Sequence, residues 1–129
     1  MNLSIDEARS LVAAALESAG ASPLMAASTA RALVLAEAQG QGGHGLSRVG
    51  QYATHLRNGR VNGAAQAAVI RRKGAALLVD VREGLAFPAC DLAVAEAVAL
   101  ARTQGVALVG IMNSHRCGVV VDHLRAVAS

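Results

Sequence analysis

The residues best suited to chemistry fall in one short stretch. His44 stands between Gly43 and Gly45, and five glycines lie between Gly40 and Gly50. Glycine lets the backbone take positive φ and approach another molecule closely, at a cost in chain entropy, so such a run presents side chains better than it builds a core. An unperturbed imidazole titrates at about pH 6.5, which makes His44 a candidate general acid or base. Arg48 follows about one helical turn later and carries the planar fork that grips a carboxylate bidentately. Together the pair can hold an organic acid while a proton moves. A surface-loop histidine and a solvated arginine are the plain alternatives, and the two residues alone do not decide.

A second polar cluster, Asn113-Ser114-His115-Arg116-Cys117-Gly118, follows an apolar run and precedes a helical pattern. Ligands of open α/β sheets gather outside the carboxyl ends of strands, and backbone amides at Gly118 and Val119 can cradle a phosphate there. The signal is weak by itself. No Gly-x-Gly-x-x-Gly follows a strand, and the glycines at 40, 42, 43 and 45 follow a helix, so a standard Rossmann fingerprint is absent. His55 and His123 sit on helical segments without matching carboxylates and read as structural or exposed, with no metal site expected. Cys117 lies beside Arg116, but no paired histidine and acid mark it as a nucleophile. Cys90 and Cys117 are far apart, with no Cys-x-x-Cys spacing.

The elements that must position these residues read in order. Ser4-Ile5-Asp6-Glu7 is a capping box, and apolar residues from Leu11 to Ala19 recur at helical spacing until Gly20. Ser22-Pro23 opens a second helix that runs to about Ala38, and the short link predicts an antiparallel pair. Leu46, Val49, Tyr52, Ala53 and Leu56 mark one face of a third helix, ended by Asn58-Gly59. From Ala67 the period changes: residues 67–72 and 75–81 read as a hairpin split by Lys73-Gly74. Pro88 admits an alanine-rich helix to about Gln104, where Gly105 stops it. The continuous apolar run from Val106 to Met112 predicts a strand buried on both faces, and a last helix runs from Val119 to Ala128. The expected fold class is α/β: an N-terminal helical region over 1–62, then part of a mixed sheet with packed helices over 63–129.

Composition bounds the partners. The chain has 129 residues, 53% apolar but only 2% aromatic, so its core must be Ala, Val and Leu, each contact burying little area. The net charge of +3 permits an anionic partner without demanding one. No apolar run reaches the roughly 18 residues of a membrane span, and no signal peptide is expected because Asp6, Glu7 and Arg9 interrupt the N-terminus. A reduced cytoplasm is the expected setting. Arg48, Arg57, Arg60, Arg71, Arg72 and Lys73 also allow a basic nucleic-acid-binding module, against which stands the scarcity of aromatic stacking residues.

The stretch GHGLSRVGQYATHLRNGRVN from Gly43 to Asn62 resembles the motif of the malate/L-lactate dehydrogenase-like family, distinct from the classical lactate dehydrogenases. The stretch from Val79 to Leu124, with its Val-Asp turn, alanine-rich helix, Gly-Val strand and Asn-Ser-x-His-x-Gly-like loop, resembles that family's next block. The resemblance implies a non-Rossmann fold and an oxidoreductase that transfers hydride between NAD or NADP and C2 of a small 2-hydroxy/2-oxo or cyclic imino acid. By position, His44 would donate or accept the proton and Arg48 would bind the carboxylate. His115, Arg116, Cys117, Gly118, Val119 and Val120 would lie against the cofactor. It further implies a homodimer, with 1–62 on the substrate and dimerisation side and 63–129 as part of a cofactor-binding domain.

Three departures accompany it. Gly43 stands where the family often has serine, Arg116 stands at its usual histidine position with His115 one place early, and family members continue well beyond this length. A truncated N-terminal portion, active or reduced to a non-catalytic dimerisation remnant, is the expectation.

Overall fold

Ser4 caps the first helix from both directions. Its Oγ accepts from the Glu7 amide at 3.1 Å while the Glu7 carboxylate accepts from the Ser4 amide at 2.8 Å, so two otherwise orphaned donors are satisfied at once. These bonds hold the Glu7 carboxyl below its ordinary range, the Ser4 backbone contributing most. The computed structural model describes residues 2–128 and divides them into two units, the first ending at Ala64 and the second beginning at Ala65.

In the first unit, α1 (Ile5–Ser18) leads through Gly20, at φ 113°, to α2 (Pro23–Ala38). Ser22 caps α2 through its Oγ, which accepts from the Met25 amide at 3.3 Å, and Pro23 takes the first position, where a missing amide costs nothing. The link is held from behind: the Ser22 amide donates to the Gly63 carbonyl at 2.9 Å, and a Cβ on Gly63 would collide with the Gly20 carbonyl. α1 packs on α2 and also on α3 (Val49–Arg57). Val12 and Leu16, Met25 and Leu33, and Tyr52 and Leu56 are among the larger apolar side chains that the three helices bury. Burial of a residue such as Leu16, at 0% exposure, stabilises by about 1.5–3 kcal/mol.

In the second unit, β1 (Ala68–Lys73) and β2 (Ala76–Asp80) form an antiparallel hairpin that turns at Gly74, φ 56°. The register shifts between Val69 and Arg71, so Ile70 is bulged out of the ladder. β2 then runs through α4 (Phe87–Gln104) to β3 (Leu108–Met112), which pairs with it in parallel. The sheet order is β1-β2-β3. Gly105 ends α4 in the left-handed conformation, φ 83°, and α5 (Val120–Ala128) follows β3. Val79, Val81, Ala89 and Ala93 form the core between sheet and α4, with Val69, Leu92 and Val109 packed against it.

The expectation that 106–112 is buried on both faces is corrected. β3 is an outer strand and mostly exposed, Leu108 at 72%. Side chains alternate along a strand: Val109 and Ile111 look toward α4 and α5, and Leu108 and Met112, on the other face, are exposed. No helix among the described residues is long and apolar enough to cross a membrane.

Candidate active site

The glycine stretch is more ordered than a flexible bend. It forms two successive 3-10 turns, Gly42–His44 and Leu46–Arg48, that run straight into α3. His44 is exposed and closes the first turn, its amide donating to the Gln41 carbonyl at 2.9 Å. Arg48 closes the second and is half-buried. Its Nε donates to the Gly43 carbonyl at 2.6 Å and its Nη1 to Gln51 Oε1 at 3.0 Å, while no described residue takes Nη2. The arginine is thereby tied to the peptide next to the histidine, with part of its fork still available to a carboxylate.

Glu37, near the C-terminus of α2, organises the whole bend. Its carboxylate accepts from the Leu46 amide at 2.9 Å. A Cβ on Gly45 would overlap that carboxylate and lie 3.0 Å from the Glu37 Cα, so only glycine lets the turn pass this close to α2. Ser47 Oγ adds a bond to the Gly42 carbonyl. Glu37, Ser47 and Gln51 are absent from the sequence reading because their roles depend on contacts across the bend. Gly43, the departure from the family's serine, supplies its carbonyl and no side chain.

In the second unit, the sheet's carboxyl end is locked by Asp80. Its Oδ1 accepts from the Arg82 amide at 2.8 Å and from Asn113 Nδ2 at 3.0 Å. The Arg82 amide, then the Asn113 amide group, hold the Asp80 carboxyl below its ordinary range. Arg82, Glu83 and Asn113 all have positive φ, at 55°, 63° and 53°, a clustering of costly backbone where the loops leave β2 and β3. His115 through Val119 form the connection to α5, and Val120 opens the helix. His115, Gly118 and Val119 are half-buried, while Arg116, Cys117 and Val120 are exposed. Gly118 has φ 75°, and a Cβ there would meet the Phe87 ring at 2.9 Å, so this glycine seats the loop against the start of α4.

Arg116 and the first amides of α5 offer positive potential to a phosphate group, with Asp122 in the same turn opposing it. The donor set therefore fits one phosphate of a dinucleotide, and nothing in it encloses a nicotinamide ring. His44 and Arg48 belong to the first unit and 115–120 to the second.

A family model for malate/L-lactate dehydrogenase matches residues 3–129. The chain belongs to that family. Among its malate/L-lactate dehydrogenase relatives is the (2R)-3-sulfolactate dehydrogenase (NADP(+)) of Chromohalobacter salexigens, 45% identical over 117 residues, which cover 91% of this chain and 35% of that protein. The Delta(1)-pyrroline-2-carboxylate/Delta(1)-piperideine-2-carboxylate reductase of Pseudomonas putida is 34% identical over 109 residues, 84% of this chain and 32% of that protein. The solved sulfolactate dehydrogenase of Methanocaldococcus jannaschii superposes with a TM-score of 0.88 at 26% identity, covering 95% of this chain and 36% of that one. The chain thus spans about a third of the length of the relatives it matches.

Proposed function

We propose that the chain supplies the proton-handling and acid-binding part of an NAD(P)-dependent oxidoreductase acting at C2 of a small 2-hydroxy or 2-oxo acid. The observation that supports the reading is the Arg48–Gly43 bond, which ties a guanidinium to the peptide preceding the exposed His44. His44 gives a proton to the C2 oxygen during reduction and takes it back during oxidation. Arg48 orients the acid through its free Nη2 edge. A bound nicotinamide dinucleotide supplies or accepts the hydride. Arg116 and the amides around Gly118 and Val119 would hold its phosphates, with His115, Cys117 and Val120 in the same loop.

NADP and a sulfonated 2-hydroxy acid are the first choices, in keeping with the relative at 45% identity. A homodimer in a cytoplasmic setting is part of the same reading, the pairing alone supported by the exposed apolar residues of β3. A nucleic-acid role is disfavoured because Arg48 is engaged at Gly43 and Gln51 and Arg72 pairs with Glu96 at 2.9 Å, which breaks up the basic face.

The test is fluorescence titration of the chain with NADPH and NADH, with sulfolactate or malate as second ligand. Saturable nucleotide binding, with acid binding lost in Arg48→Ala, supports the assignment. Salt-sensitive DNA retention without a nucleotide signal would replace it with the basic module, and silence in both assays with the non-catalytic remnant.

A further inference from the structure

Cys90 and Cys117 are separated in the chain by most of α4 and all of β3, yet the fold brings them together with His123. Cys90 is on α4 and buried at 4% exposure, Cys117 is exposed in the loop before α5, and His123 is half-buried on α5. One ligand atom from each, two thiol sulfurs and a ring nitrogen, lie within 4.8 Å of one another. Both cysteines are free. We propose that Cys90, Cys117 and His123 form a binding site for a thiophilic divalent metal of the zinc class, with water or a small exogenous ligand as the fourth donor.

The donor set selects the ion. Two sulfurs and one imidazole suit Zn²⁺ and exclude Mg²⁺ and Ca²⁺, which require oxygen. Tetrahedral bonds of about 2.3 Å to sulfur and about 2.05 Å to nitrogen place two sulfurs roughly 3.8 Å apart and sulfur and nitrogen roughly 3.5 Å apart, so the group needs a contraction of about 1.3 Å at most, within reach of side-chain rotation.

One ring nitrogen of His123 already has a backbone partner. Its Nε2 lies 2.7 Å from the Cys117 carbonyl, and a carbonyl can only accept, so Nε2 carries the proton. In the neutral ring that leaves the lone pair on Nδ1, the arrangement in which metal-bound histidines donate their other N–H to a backbone carbonyl.

The surroundings favour a neutral complex. A cavity of about 300 Å³ adjoins the three residues, lined also by Ala93, Val94, Ala97 and Ile111. Two thiolates and one dication cancel, whereas a lone thiolate in such a wall is costly. Occupancy would clamp the 115–120 loop to α4.

The experiment titrates the reduced, tag-free chain with Co²⁺ under anaerobic conditions. The expected result is one Co²⁺ per chain, with thiolate-to-cobalt charge-transfer absorption and the intense visible bands of a tetrahedral site. Release of two protons per ion and displacement by one equivalent of Zn²⁺ complete the expected signature. Cys117→Ser, on the surface and checked for fold by circular dichroism, should abolish the charge-transfer band of the paired thiolates, and His123→Ala should weaken affinity at least tenfold. No charge-transfer absorption, affinity unchanged in folded Cys117→Ser, or formation of a Cys90–Cys117 disulfide with no cobalt uptake by the reduced chain would each overturn the proposal.

Discussion

Arg48 donates its Nε–H to the Gly43 carbonyl at 2.6 Å, so the guanidinium is fixed to the peptide that immediately precedes His44. A lysine can carry the same charge but cannot hold that carbonyl and a carboxylate oxygen with one rigid fork. Arg48→Lys should therefore weaken binding of the acid by about 1.5–3 kcal/mol, roughly ten- to a hundredfold, and leave NADPH binding unchanged. Calorimetric titration with each ligand measures both; equal loss for both ligands would remove Arg48 from the acid site.

Glu37 and Gly45 form the support beneath that pair. Gly45→Ala should push Glu37 off the Leu46 amide and destabilise the first unit by about 1–3 kcal/mol. Glu37→Ala, which only loses the bond to Leu46, should cost about 0.5–1.5 kcal/mol. Chemical denaturation followed by circular dichroism ranks the two, and a Gly45→Ala chain as stable as the parent would contradict the close approach described above.

Thr29 is fully buried in α2, and its Oγ1 has no hydrogen-bond partner. Removing an unsatisfied hydroxyl from such a site returns its desolvation cost, about 1–3 kcal/mol. Thr29→Val should raise the thermal midpoint; a fall would mean that the hydroxyl finds a partner in solution.

Asp80 and Glu7 contribute to stability against acid. Both carboxyls are held below their ordinary values in the fold. Such a group contributes fully above its unfolded-state pKa, and the contribution is lost as pH falls through the lower folded value. Stability should thus decline from the ordinary carboxylate range downward. Asp80→Asn should be less stable than the parent at neutral pH and decline less on acidification, which thermal melts across pH resolve; parallel curves would sink the assignment.

Much of this fold was legible locally. The Ser4–Glu7 box, the Ser22-Pro23 start and the Gly105 stop are each written within a few residues and appear as read. The hairpin and the parallel return of β3 follow from changes of period and from the length of α4. Burial of β3 was misread because an apolar run reports what a strand can be covered by, and not whether the described residues supply that cover. Glu37 at Leu46, Asp80 at Asn113, and Cys90 beside Cys117 were invisible for one reason: each joins residues whose separation in sequence carries no periodic signal. His44 and Arg48 stood out by type and spacing, whereas the Gly43 carbonyl between them is backbone, about which a side-chain reading says nothing.

The two margins of the sheet differ in kind. β1 presents Arg71, Arg72 and Lys73 and a dislocation at Ile70, which repel a neighbouring strand; β3 presents an oily, regular border. A strand adding to this sheet would therefore be resisted at β1 and accepted at β3.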